Sequence, residues 1–296
     1  MDGLVVLYKG KGMTSHDCVN RVRRILKTKK VGHSGTLDPM VEGVLPLGIG
    51  KGTKTLEYLL DYPKTYRGTV LIGIATETED IEGKIIDRRA VEHPFSESIV
   101  DHAIKSMVGD IIQIPPYYSA VKVKGKKLYE YARNNQVVER PRRKAHIYQF
   151  NRTSTIHYDD KDKTASFDII VTCSKGTYIR TLLVDLGQKL GFPATMSYLM
   201  RTESGGFDLD QSVRLEEFEK EPPRYLLPID EALKKFHRKE IPSNLETIVI
   251  NGGTIEIADI SIQDFPFVFT KSGKPVAVYD HHPTKDHLIK PLKMFI

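Results

Sequence analysis

A chain of 296 residues, 40% hydrophobic and 28% charged, can bury a substantial core and is expected to form a soluble globular protein with one large and one small domain. No apolar run approaches the roughly 20 residues needed to cross a bilayer. The first residues lack the apolar stretch of a secretion signal, so neither membrane association nor export is expected and the cytoplasm is the default compartment. The net charge of +6 is unevenly spread: residues 9–30 carry eight Lys or Arg against one acid, residues 122–144 nine against two, and the rest of the chain is net acidic. Two concentrated basic segments form the electrostatic footprint that a polyphosphate partner requires, whereas two merely solvated faces have no reason to be so one-sided.

In chain order, Thr14 and Asp17 read as a capping box opening a helix. Val19, Val22, Ile25 and Leu26 share one face of it and Arg21, Arg23 and Arg24 take the other. Alternation over Tyr66–Ala75, with Val70, Ile72 and Ile74 on one side, predicts a strand. Spacing of Ile99, Ala103 and Met107 predicts a helix over 98–107 ended by Gly109, and Phe167, Ile169, Val171 and Cys173 predict another strand. Ile179, Leu182, Leu183, Leu186 and Leu190 form a helical stripe closed by Gly191. Strands and helices mix without regular βαβ alternation, so the fold class is α+β with a mixed, mostly antiparallel sheet. A boundary is expected within 222–242, giving domains of 1–236 and 237–296. The second holds short strand-like runs at 248–250, 254–257, 267–270 and 274–279, with a turn at Asn251-Gly252-Gly253, and suggests a small barrel.

The most informative stretch is Gly32-His33-Ser34-Gly35-Thr36-Leu37-Asp38-Pro39, which puts one carboxylate and one imidazole on a Gly/Pro-tightened loop directly after the first basic segment. Asp38 reads either as a reactive group at a polyanion site or as a helix cap ahead of an apolar run. Gly48-Ile49-Gly50-Lys51-Gly52-Thr53 fails as a phosphate loop, because Gly follows Gly50-Lys51 where Ser or Thr is needed and Leu45 stands where the first glycine should be. Cys18 and Cys173 have no CxxC partner and read as a small helix residue and a buried strand residue. His281, His282 and His287 lack ligand spacing and read as part of a polar turn, so no metal site is expected.

Lys9, Gly12-Met13-Thr14-Ser15-His16-Asp17, Arg21-Val22-Arg23-Arg24, the octapeptide and Gly43-Val44-Leu45-Pro46 fall in register with one family. So do Lys64-Thr65-Tyr66-Arg67, Gln113-Ile114-Pro115-Pro116, Ser119-Ala120-Val121-Lys122, Gly125, Tyr129, Ala132-Arg133 and the run Cys173–Thr181. Over residues 3–207 the chain thus resembles the bacterial TruB-type tRNA pseudouridine synthases. It departs from them at Gly10 (usually Pro), Ser34 (usually Thr), Val41-Glu42 (commonly small residues) and Gly52 (usually Ala), and Glu42 places an acid near the expected RNA surface.

The resemblance implies conversion of the uridine at tRNA position 55, in the T-loop, to pseudouridine. It implies no cofactor, tRNA as partner through its T-arm, a monomer without an obligate protein partner, and a C-terminal PUA-like RNA-binding module. It assigns Asp38 as the catalytic aspartate, Arg180 as its ion-pair partner, and Tyr66 and Tyr178 as base-pocket aromatics, with Tyr66 also facing C5. His33 would fill the space left by the flipped base and Leu199 would wall the pocket, while Lys9, Lys54 and Arg201 would contact the RNA backbone. Such chemistry needs a carboxylate that stays ionised under bound RNA, and stacking faces that offset the few kcal/mol, roughly, of base flipping. Two rivals are a non-catalytic RNA-binding protein, which gives no reason for Asp38, Tyr66, Tyr178 and Arg180 to occur together, and a guide-RNA-dependent subunit, which would need partner-binding extensions.

Overall fold

The computed structural model describes residues 1–296. The first strand, β1 (Gly3–Lys9), is apolar on both faces because both are covered. Val5 and Leu7 enter the main core, while Leu4 and Val6 join Val44, Leu59 and Phe207 on the other side. The helix α1 (Ser15–Ile25) starts at the expected capping box: the Asp17 N–H donates to Thr14 Oγ1 at 3.0 Å and the Thr14 N–H to Asp17 Oδ2 at 2.9 Å. Its inward face is Cys18, Val19 and Val22. Then come β2 (Val31–His33), β3 (Glu42–Ile49), β4 (Lys64–Ile72), α2 (Glu97–Lys105), β5 (Gly109–Gln113), β6 (Arg143–Arg152) and β7 (Thr164–Cys173). The helix α3 (Ile179–Leu190) ends at Gly191 (φ +81), as its leucine stripe requires, and β8 (Ala194–Ser204) and β9 (Val213–Arg214) follow.

Together with the short strands His157–Asp159 and Phe207–Asp208 these form an 11-stranded sheet with the path β9-β1-β3-β8-β4-β7-β6-β5, on which β2 and those two short strands pair as side additions; only β1/β9 and β3/β8 are parallel. The three helices supply Val22, Ile104, Leu182 and Leu186 to the same core as Leu45, Val70, Phe167 and Val171 of the sheet. At the centre, β8 approaches β3 so closely that a Cβ on Gly43 (φ +114) would sit 2.1 Å from the Arg201 carbonyl oxygen. This close approach brings Arg201 beside the loop before β3.

Four sequence expectations are corrected. The helix at 97–105 buries Val100 and Ile104 and leaves Ile99 57% exposed, so its inward face is one position along from the predicted one; Met107 is buried but lies beyond the helix. The strand at Tyr66–Ala75 stops at Ile72, because Gly73 (φ +107) turns the chain into a separate short strand, Ile74–Thr76, paired with Ile85–Arg88. Ile248-Val249-Ile250 is helical: a three-residue apolar run has no period, and Asn251-Gly252-Gly253 ends a helix instead of turning a hairpin, with the Gly253 N–H donating to the Ile248 carbonyl at 2.8 Å. The histidine pair His281-His282 closes a strand, and the turn falls at Pro283-Thr284.

Beyond residue 237 a second sheet is built from β10 (Arg238–Glu240), β11 (Ile255–Glu256), β12 (Phe267–Lys271), β13 (Lys274–His282) and β14 (Lys285–Met294), in the order β10-β12-β13-β14-β11. It curls around Phe267, Phe269, Tyr279 and Ile289, with edge-to-face rings 4.7 Å apart for Phe267–Phe269 and 5.1 Å for Phe269–Tyr279, giving a small PUA-like unit. Two short helical segments of the first unit, Leu56–Leu60 and Ile229–Leu233, meet the second sheet in a buried cluster, with Tyr58 and Leu233 against Val268, Val278 and Phe295. No helix is long and apolar enough to cross a membrane.

Candidate active site

The loop carrying Asp38 joins β2 to β3 and is pinned by its backbone. The Ser15 hydroxyl accepts from the Leu37 N–H at 2.8 Å and donates to the Leu37 carbonyl at 3.3 Å, bracketing the residue before Asp38. Lys9 Nζ (3.0 Å) and the Gly12 N–H (2.9 Å) both donate to the Pro39 carbonyl, on the other side of it. Asp38 opens a β-turn, with the Val41 N–H donating to the Asp38 carbonyl at 3.1 Å, and a strand follows; the helix-cap reading is therefore set aside. Its carboxylate is 45% exposed and lies 2.9 Å from Nη2 of Arg180, itself only 8% exposed.

Arg180 stands in the first turn of α3 and is held by acceptors from three other segments. Nη1 donates to the Thr78 carbonyl at 2.6 Å and meets Asp80 Oδ2 at 3.4 Å, while Nη2 also donates to the Tyr118 carbonyl at 2.9 Å. A buried guanidinium satisfied in this way is fixed in direction, so it presents Asp38 as much as it neutralises it. Glu79 lies beside it, accepting from the Thr181 hydroxyl at 2.7 Å; burial raises its carboxyl above the usual range.

Asp38 and Arg180 open into a cavity of about 480 Å³ whose walls come from β4, β8, the start of α3 and the 119–122 segment. It is also lined by Tyr66, Tyr178, Leu199 and Arg201, so six of the nine residues expected at the site converge in one place. Tyr66 on β4 pairs across the sheet with Arg201 on β8, and Leu199 with Gly68, where a Cβ would meet Leu199 Cδ1 at 2.9 Å; glycine there lets the leucine lie flat. Burial holds the Tyr66 and Tyr178 hydroxyls above the usual phenol range, so both present neutral rings. Among the lining side chains Asp38 is the only carboxylate, facing six cationic groups: Lys64, Lys122, Arg143, Lys175, Arg180 and Arg201.

Three expected residues stand outside the cavity. His33 is half-buried with Nδ1 unpartnered, and burial with nearby Arg201 keeps its imidazole below the usual range, hence neutral at pH 7. Lys9 is fully buried with its ammonium on the Gly10 and Pro39 carbonyls, so it holds the Asp38 loop and presents nothing to an RNA phosphate. Lys54 spends its ammonium on the Met294 carbonyl at 2.8 Å, tying the first unit to the second. Arg201, although it lines the cavity, is only 1% exposed and donates to the Val44 carbonyl at 2.8 Å, a wall residue more than a backbone contact. Glu42 is explained: it accepts from the Tyr8 hydroxyl at 2.8 Å and the Tyr198 hydroxyl at 3.0 Å, with Lys11 over the Tyr198 ring, so its oxygens are hydrogen-bonded within the protein.

Sequence reasoning missed Ser15 and Lys64 as site residues. Ser15 lay within a quoted motif, but its reach to Leu37 depends on how α1 packs. Lys64, only 6% exposed, donates to the Leu60 and Tyr62 carbonyls at 3.0 and 3.2 Å, and burial pushes its ammonium down to about 8.

Known proteins resemble this chain in both sequence and fold. Residues 23–179 match the model of the TruB family pseudouridylate synthase N-terminal domain, and residues 180–234 that of the tRNA pseudouridylate synthase B C-terminal domain. The chain is 48% identical to tRNA pseudouridine synthase B of Bacillus pumilus, over 99% of this chain and 97% of that one. It is also 48% identical to the enzyme of the same name from Staphylococcus saprophyticus, over 99% of each. Among solved structures it resembles a Cbf5-Nop10-Gar1 complex chain with a TM-score of 0.71 at 25% identity, covering 99% of this chain and 85% of that one. Sequence and fold together put this chain in the TruB family of pseudouridylate synthases.

Proposed function

We propose that the protein is a tRNA pseudouridine synthase that isomerises the uridine at position 55 of the T-loop, with Asp38 as nucleophile. The observation that carries this reading is a single carboxylate, held by a buried arginine and flanked by two neutral tyrosines, in a cavity whose other charged side chains are all cationic. The reaction breaks the N1–C1′ bond, joins C5 to C1′, moves a proton from C5 and returns one to N1, with no change of redox state. It needs a carboxylate to act on the nucleotide and walls that keep the detached uracil in place. Asp38 supplies the first. Tyr66, Tyr178 and Leu199 supply the second by stacking on and enclosing a base flipped out of the RNA, and the neutral His33 ring suits insertion into the stack the base has left.

Lys122 and Arg143 at the cavity mouth belong to the second basic segment, which supports a path for the T-arm phosphates running from the cavity along residues 122–144. The 48% identity across nearly the whole chain favours a free-standing tRNA enzyme over a guide-RNA assembly, and we propose a monomer with a domain boundary near residue 236. The test is incubation of the purified protein alone with unmodified tRNA transcripts, followed by mapping of pseudouridine. Product at position 55 is expected; binding without product at any uridine would favour a non-catalytic RNA-binding protein.

A further inference from the structure

Tyr178 opens α3 with no side-chain cap. Its two peptide groups are held instead by one residue: the Tyr178 N–H donates to Gln113 Oε1 at 2.9 Å, and Gln113 Nε2 donates to the Tyr178 carbonyl at 3.0 Å. The same carbonyl accepts the first helical bond, from the Leu182 N–H at 3.0 Å, so the clamp sits where the helix begins. Gln113 is the last residue of the edge strand β5 and is 1% exposed, so its carboxamide is committed in a dry setting where water cannot stand in for a missing partner.

The residues on either side make this clamp bear on the reacting groups. Tyr178 lines the cavity, and Arg180, two positions on, reaches Asp38. In the other direction the chain leaving Gln113 returns to the same helix start, where the Tyr118 carbonyl accepts from Arg180, and then forms the cavity wall at 119–122. One carboxamide therefore roots both the helix that carries the arginine and the segment that closes over it.

We propose that Gln113 is a positioning residue for the reaction, fixing Tyr178 and the Asp38–Arg180 pair through the backbone of Tyr178; this rests on the reading of those groups as the reacting site. A misplacement of about 1 Å at such a site costs on the order of 100-fold in rate. The test uses the full chain and a saturating unmodified tRNA transcript in single turnover, with tRNA affinity measured alongside. Gln113→Leu, similar in size and without polar atoms, is expected to lose at least about tenfold in rate while affinity stays within about threefold. Gln113→Glu adds a readout that mere packing would not move. As a neutral acid it offers one donor and one acceptor, as the amide does, whereas a carboxylate repels the Tyr178 carbonyl. Burial raises a carboxyl pKa, so its rate relative to wild type should recover as pH falls from about 8 to about 5.5.

A rate within twofold of wild type for Gln113→Leu, an equal loss of rate and affinity, or a flat pH ratio for Gln113→Glu would overturn the proposal. Should Gln113→Leu fail to fold, judged by its melting curve, the Gln113→Glu ratio decides alone. A wild-type chain that makes no pseudouridine would overturn the functional reading, and this inference with it; an active wild type beside indifferent variants would overturn the inference alone.

Discussion

Asp38 is useful because it is half exposed while its partner is not. Asp38→Asn keeps the shape and removes the charge, so turnover is expected to vanish while tRNA affinity changes by less than roughly tenfold, about 1.4 kcal/mol. Lys64 gives a pH signature. Its charge is present below about 8 and absent above, so a contribution to holding RNA should fade between pH 7 and 9.5. Lys64→Arg, charged throughout, should bind without that inflection, and identical pH profiles would remove Lys64 from the binding surface. The linkage to stability has the opposite sign. Between about 8 and the ordinary value of 10.5 the unfolded chain holds a proton that the folded chain has released, so this residue's contribution to stability rises with pH across that window.

The residues that converge on the cavity were legible in the sequence because they fall in short motifs of fixed spacing. Those that hold them were less so. Lys9 stood among expected phosphate contacts, yet a lysine in a basic segment and a lysine buried on two carbonyls look alike until the Pro39 carbonyl is seen beside it. Glu42 looked like an acid on an RNA surface, because the two tyrosines that hydrogen-bond it are 34 and 156 residues away in the chain.

Elements with a clear period, such as α1, β7 and α3, form where the sequence places them. The failures are short or ambiguous: the 98–107 pattern admits two faces one residue apart, and Ile248-Val249-Ile250 has no period at all. The Asp38 loop has no regular structure of its own and takes its order from α1 through Ser15. Ser15→Ala leaves the Leu37 peptide unpaired in a buried place and is expected to cost about 1–3 kcal/mol of stability, read from a melting curve. Turnover should fall with it; an unchanged melting curve and rate would mean the loop is held by Lys9 and Gly12 alone. The two basic segments also differ. Arg142, Arg143 and Lys144 are exposed, whereas Arg21 pairs with Glu219 at 2.7 Å and Arg23 donates to the Val31 carbonyl at 3.0 Å. Replacing the 142–144 triplet with Ala should flatten the salt dependence of tRNA binding by roughly one unit of slope for each phosphate that the triplet neutralises. An unchanged slope would reduce that segment to a solvated face.

At the scale of the whole molecule, the small buried cluster of Tyr58, Leu233, Val268, Val278 and Phe295 joins the first unit to the second, with Lys54 and the Lys293–Glu57 pair at 3.2 Å adding polar ties between them. Calorimetry of the full chain is therefore expected to show a single unfolding transition, and two well-separated transitions would mean that the units are energetically independent. The fixed interface also holds the PUA-like sheet in one relation to the cavity, as a single folded tRNA spanning both surfaces would require. The central claim is that this fold exists to present one carboxylate to one flipped uridine. It is tested most directly by mapping pseudouridine in an unmodified tRNA transcript after incubation with the wild-type chain and with Asp38→Asn. Product at position 55 with the wild type and none with the variant, at comparable tRNA binding, is expected. Product from both, or from neither, would contradict the account.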